Sequence, residues 1–170
     1  MKQKRAAVLV PLRVVPGTGP VMTMIRRSSG GSHPGQMAFP GGHYEGARDS
    51  SLLDTALRES FEEVGLAGRD VEVIGALPER KTYSSEFVVS AFVARIPHPY
   101  EFSAQEREVA RIVDAPLSHF FDPAQRIAHE WTYQGRGVQV PGVIVSGEVV
   151  WGLSLGIIDD FLASDLLRSL

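Results

Sequence analysis

The chain of 170 residues is the size of one domain with a proper core, and its 44% hydrophobic and 22% charged residues are the balance of a globular protein. A formal net charge of −3 argues against a non-specific nucleic-acid binder, and no apolar run approaches the ~20 residues of a membrane helix. The absence of cysteine excludes disulfides, thiolate metal sites and cysteine nucleophiles, and makes a reducing cytoplasm the expected compartment.

Lys2, Lys4 and Arg5 precede the apolar run Val8–Val10, but Pro11 and Arg13 end that run too soon for a signal peptide. Ala6–Leu12 is read instead as a buried strand with Pro11 near its end. Pro16–Pro20 is a turn, and Val21–Ile25 a second strand that completes a hairpin. From Arg26 to Gly46 the density of Gly, Ser and Pro predicts loop, with a short extended piece at Gln36–Phe39. Ser50–Val64 is the clearest helix, capped by Ser50 or Ser51 and ended by Gly65. Val71–Leu77, Phe87–Ile96 and Glu108–Val113 read as strands, and Pro116–Phe121 as a short helical turn. Arg126–Tyr133 and Val138–Val145 fit a hairpin through Gln134–Gly137. Trp151–Leu167 closes the chain as an amphipathic helix with Leu155, Ile158, Leu162 and Leu166 near one face. No repeat or linker divides the sequence, so one domain over residues 1–170 is expected. Its fold class is α/β (α+β), with a mixed sheet between helices.

On a helical wheel Leu53, Leu57, Phe61 and Val64 share one face, and Glu59, Glu62 and Glu63 the opposite one at i, i+3 and i+4. Three clustered carboxylates fit a solvated acidic face. They also fit a site for a hard divalent cation, since Mg²⁺ and Mn²⁺ take oxygen ligands. Lysine at i+4, the usual relief of repulsion on a surface helix, is missing: none lies between Lys4 and Lys81. Just upstream, Phe39-Pro40-Gly41-Gly42 forms a turn able to present backbone groups.

With that turn in place, Arg58-Glu59-Ser60-Phe61-Glu62-Glu63-Val64-Gly65-Leu66 resembles the second half of the Nudix box, departing only at Ser60, where the family has an apolar residue. The first half departs more. The loop from Gly42 to Arg58 is two residues longer than the pattern, and its expected glutamate falls on Ser50, beside Asp49. The upstream stretch Ser32-His33-Pro34-Gly35-Gln36-Met37-Ala38-Phe39-Pro40-Gly41-Gly42 is similar to the signature of the coenzyme A diphosphatase branch. So are Glu108-Val109-Ala110, Ala115-Pro116-Leu117 and Val150-Trp151-Gly152-Leu153. Gly31 stands where that branch has an arginine, and Arg27 where it has Ser or Ala.

The resemblance implies a Nudix-type α/β/α sandwich and metal-dependent hydrolysis of a nucleoside diphosphate-linked substrate. In the branch's case this is coenzyme A or acyl-coenzyme A, cut to 4′-phosphopantetheine and adenosine 3′,5′-bisphosphate. It implies Mg²⁺ or Mn²⁺ held by Glu59, Glu62, Glu63 and the Gly42 carbonyl. Arg58 would orient a carboxylate, and either a box glutamate such as Glu59 or Glu62, or the distant Glu108, would act as general base. Arg26, Arg27, His33 and Gln36 would meet the substrate. Simple alternatives stand beside these roles: surface charge for Arg26, Arg27 and Glu108, loop stabilisation for His33 and Gln36. His98, His119 and His129 lack ligand spacing, and Trp151 is assigned to packing. Lys81 and Tyr83 fall in an expected loop. The expected partner is a small nucleoside diphosphate derivative, with no nucleic acid and no membrane; a homodimer is left open. Competing substrates are ADP-ribose, dinucleotides and oxidised nucleotides. A non-catalytic module is disfavoured by the intact glutamates, and an isopentenyl diphosphate isomerase by the missing cysteine.

Overall fold

The computed structural model describes residues 4–30, 33–82 and 86–170. Gly31, Ser32 and Tyr83, considered above, lie outside the described residues. In chain order the strands are β1 (Lys4–Val15), β2 (Gly19–Arg27), β3 (Met37–Ala38), β4 (Gly41–His43), β5 (Glu72–Ala76), β6 (Arg80–Lys81), β7 (Phe87–Arg95), β8 (Val109–Pro116), β9 (Arg126–Tyr133), β10 (Arg136–Val145) and β11 (Glu148–Trp151). The helices are α1 (Leu52–Val64), α2 (Ser118–Phe121) and α3 (Gly152–Ala163), and a 3₁₀ turn over Asp165–Ser169 follows α3.

β1 and β2 make the expected hairpin, with Leu12 opposite Met22. β1 does not end near Pro11 but continues to Val15. Its parallel ladder with β7 places Pro11 beside Ala94, and proline removes only one donor from a strand paired on both edges. β1 joins β7 in parallel while its other pairings are antiparallel, so the eight-stranded sheet is mixed, as expected.

The pleat sends alternate residues to two cores. Ala7, Leu9, Ile25 and Ala94 pack with Ala56 and Val64 of α1. Val10, Leu12, Met22 and Met24 pack with Leu155, Ile158 and Phe161 of α3 and with Val143, Val145 and Val150 of a second sheet. That three-stranded sheet, β11-β10-β9, contains the predicted hairpin and one strand the sequence reading missed, β11. Both its turns are two-residue turns with positive φ, Gln134–Gly135 (49° and 75°) and Ser146–Gly147 (50° and 81°), which match the twist of antiparallel strands.

One edge of β1 is shared. Residues Leu12–Val15 pair with β2, and Ala6–Val8 pair with β4. β2 in turn pairs through Ile25 and Arg26 with β3. The chain from Met37 to His43 thus crosses from the β2 edge to the β1 edge where the two strands separate. Pro40 and the two glycines sit in that split, held by Leu9 N–H donating to the Pro40 carbonyl at 2.9 Å.

α1 begins at Ser51, whose hydroxyl accepts from Asp54 N–H at 3.1 Å, and ends at Gly65 with φ 70°. Its buried residues are Thr55, Ala56, Ser60, Glu63 and Val64, while Leu53 and Leu57 are half-buried and Phe61 is 60% exposed. The expected apolar stripe is therefore corrected: the helix is turned so that Glu63 faces inward. Small residues make this possible. The Ser60 hydroxyl, donating to the Ala56 carbonyl at 2.7 Å, is satisfied within the helix and lets it lie close to the sheet.

Candidate functional site

The two glycines of the split are contact surfaces for the glutamate helix. Gly41 N–H donates to Glu63 Oε2 at 2.9 Å. A side chain at Gly41 would meet the Ala7 carbonyl oxygen at 2.3 Å, and one at Gly42 the Glu59 carboxyl carbon at 2.5 Å. Only glycine permits the backbone to run this close under two carboxylates. The turn and the helix thereby form one cradle, with the Gly42 backbone packed against Glu59.

Its electrostatics are unbalanced. Glu63 is 2% exposed, and burial pushes its proton affinity up to about 7. The Gly41 N–H and the positive charge of Arg27 oppose that rise; Glu59 and Glu108 add to it. Glu59 is also raised, first by burial, against a downward pull from Arg58. Two neighbouring carboxylates are therefore both desolvated, and burial raises the proton affinity of each.

Glu62 differs. Its side chain is 40% exposed and is hydrogen-bonded to Arg48 and, at 3.1 Å, to Arg58. Among the described residues, no three acidic or histidine side chains are already gathered into a metal cage. The core of the site is the pair Glu59 and Glu63 with the Gly42 backbone, and Glu62 stands at its rim.

Arg58 organises this rim. Its guanidinium donates to Glu59 Oε1 at 2.8 Å, to the His43 carbonyl at 3.1 Å, and to both oxygens of Asp49 at 2.7 and 3.0 Å. Asp49, 1% exposed in its side chain, also accepts from Glu45 N–H and from the Thr55 hydroxyl, both at 2.9 Å. The Arg58 guanidinium holds the Asp49 carboxyl far below the usual carboxylate range, and Asp49 in turn raises the proton affinity of Arg58. The sequence reading gave Asp49 no role. Its place nine residues before Arg58, itself similar to the branch with its longer entry loop, is the signal that points to this pairing.

The remaining expected residues divide. Pleating sends Arg26 and Arg27 to opposite faces of β2. Arg27 faces the glutamates, close enough for its charge to act on Glu63. Arg26 pairs with Glu148 at 3.3 Å and lies against the loop at Gly35. Glu108, exposed just before β8, is close enough to act on both Glu59 and Glu63. His33, with φ 58°, and Gln36 form a turn closed by Gly35 N–H to the Arg27 carbonyl and Arg27 N–H to the Gln36 carbonyl, at 3.1 and 3.0 Å. Lys81 lies in β6 rather than in a loop. His129 and Trp151 pack ring against ring, 5.0 Å between centroids, on the outer sheet.

The NUDIX domain model matches residues 3–133, which spans the cradle and everything that positions it. The chain belongs to the Nudix family. This Nudix chain is 36% identical over 160 residues to a protein of Enterobacter sp. strain 638 described as uncharacterized Nudix hydrolase NudL, covering 93% of the chain and 81% of that protein. A NudL of Yersinia enterocolitica is 36% identical over 157 residues, covering 90% and 77%. Among solved structures, the fold is shared with the NUDIX domain of Shewanella oneidensis NrtR complexed with ADP ribose (TM-score 0.66, 14% identity, 96% of this chain and 88% of that one). It is shared too with the Nudix hydrolase RenU of M. smegmatis (TM-score 0.60, 19% identity, 71% and 74%). The Nudix chain is an enzyme, a hydrolase of the family that acts on nucleoside diphosphate-linked substrates, and that family generally uses divalent metal ions such as Mg²⁺ or Mn²⁺. Among its described residues no helix is long and apolar enough to cross a membrane.

Proposed function

We propose that the enzyme hydrolyses coenzyme A or its acyl esters to 4′-phosphopantetheine and adenosine 3′,5′-bisphosphate, with Mg²⁺ or Mn²⁺ as cofactor, as one cytoplasmic catalytic domain. The observation that carries the hydrolytic part is the pair of carboxylates desolvated over Gly41 and Gly42, where burial pushes Glu63 up to about 7 against the Gly41 N–H and Arg27. The donor set fits a hard divalent ion: the carboxylates of Glu59 and Glu63 offer oxygen ligands, the Gly42 backbone lies directly against Glu59, and Glu62 stands exposed at the rim. Glu59, Glu63 and the Gly42 carbonyl would hold the ion, joined by Glu62 once it leaves Arg48. Such an ion, when bound, neutralises diphosphate charge and acidifies a water.

The chain's own residues do the rest. Arg58 orients Glu59 and is itself oriented by Asp49. Arg27 faces the pair and meets the diphosphate. Glu108, open to solvent and close enough for its charge to act on the pair, would take the proton of the attacking water. Arg26, lying against the His33–Gln36 turn, would meet a further phosphate, the 3′-phosphate of coenzyme A, once it leaves Glu148.

The test is the specificity constant for coenzyme A, dephospho-coenzyme A and ADP-ribose with Mg²⁺, on the parent and on Arg26→Ala and Arg27→Ala. A charge-assisted arginine–phosphate contact corresponds to a loss of about 10- to 100-fold. Arg27→Ala should lower all three substrates alike. Arg26→Ala should lower coenzyme A selectively. A clear preference for ADP-ribose would remove coenzyme A while leaving the diphosphate hydrolase.

A further inference from the structure

His43 follows Gly42 directly and is exposed to solvent. Its imidazole lies flat on Phe87, with ring centroids 4.3 Å apart and planes 13° from parallel. The Lys4 ammonium stands 5.7 Å from the centre of the same phenyl ring. Strand pairing fixes the arrangement, since His43 is opposite Ala6 and Phe87 is beside Lys4. The His43 carbonyl is tied to Arg58, the residue that also holds Glu59. Among the described residues no group hydrogen-bonds the imidazole nitrogens. An exposed imidazole covered on one face by Phe87 and one residue from Gly42 offers its other face as a stacking surface.

We propose that the solvent-facing side of His43, backed by Phe87, stacks on the nucleobase of the bound nucleotide. This rests on the reading that the diphosphate sits over Gly42 and the glutamate pair. A substrate held there by its phosphates carries its nucleoside outward. His43 neighbours Gly42 in β4 and presents its ring on the other face of the sheet, with Ala6, so a nucleoside that passes over the β4 edge from phosphates held at Gly42 comes within reach of this imidazole. Stacking tolerates any base, because every base offers a π face, so the contact sets preference for nucleoside-bearing diphosphates over other diphosphates rather than for one base. Lys4, over Phe87, keeps the neighbourhood positive for the sugar–phosphate portion.

The test uses two ligands that resist hydrolysis, α,β-methylene-ADP and methylenediphosphonate, titrated calorimetrically with Mg²⁺ into the parent, His43→Ala and His43→Phe. The first ligand has a base and the second has none. His43→Ala should weaken the nucleotide analogue by about 10-fold and leave methylenediphosphonate within about 2-fold, and His43→Phe should restore the nucleotide analogue. Equal weakening of both ligands, an unchanged nucleotide affinity in His43→Ala, or failure of His43→Phe to restore it would overturn the stacking role alone. If the parent bound neither ligand, the phosphate site and the stacking role would fall together.

Discussion

Replacing Asp49 with asparagine isolates the support beneath Arg58. The substitution keeps the shape of the side chain but places an amide where one carboxylate now spans Nε and Nη2 of the guanidinium, at 2.7 and 3.0 Å. Both partners are desolvated, with side chains 1% and 14% exposed. Breaking a buried pair by removing one charge costs about 3–5 kcal/mol. Arg58 keeps Glu59, Glu62 and the His43 carbonyl, so the lower end applies, about 3 kcal/mol. For a chain of this size that corresponds to a fall in Tm of about 6–12 °C. Urea denaturation with and without the substitution measures it. The effect has a defined pH dependence. Asp49's proton affinity is lowered in the fold, so its contribution is full above the unfolded value of 3.8 and is lost as pH falls through the lower folded value. The gap between parent and variant should therefore be constant near neutrality and close in acid. A difference below about 0.5 kcal/mol at pH 7, the scale of an ordinary surface change, would refute the support role.

In the metal-free protein, Glu63 titrates near 7 against 4.5 in its unfolded reference, so stability should fall by up to about 3 kcal/mol as pH rises through that window. Denaturation in chelator across the window should show that slope in the parent and its loss in Glu63→Gln. Gly42→Ala places a methyl group against the Glu59 carboxylate and should cut turnover by about 100-fold while the protein remains folded by circular dichroism. Phe61→Gln, at an exposed helix position, should change stability by less than about 0.5 kcal/mol; a loss of about 3 kcal/mol would restore the apolar stripe read from the wheel.

Much of this arrangement was legible before the structure. Ser51 and Gly65 bound the helix where capping rules put them, and Gln134–Gly135 turned the hairpin. The opposite orientations of Arg26 and Arg27 follow from the two-residue period of a strand, which the reading did not apply to that pair. The rotation of α1 was hidden for a physical reason. A wheel ranks faces by hydrophobicity, and this helix buries Ser60 and Glu63 while exposing Phe61, because its inner face serves the carboxylate pair and not the apolar core alone. The role of Asp49 depended on how an entry loop two residues longer folds back, which spacing does not give. β11 is four residues long and was absorbed into the approach to the last helix.

The central claim is that Glu59 and Glu63 over Gly42 form a divalent-metal site that hydrolyses diphosphates. Steady-state turnover of coenzyme A or ADP-ribose at saturating Mg²⁺, on the parent, Glu59→Gln and Glu63→Gln, tests it most directly. The account predicts turnover in the parent that chelation abolishes and Mg²⁺ restores, with each variant folded and reduced by at least about 100-fold. Near-parental turnover in either variant, or activity in the parent that is indifferent to chelator, would contradict it.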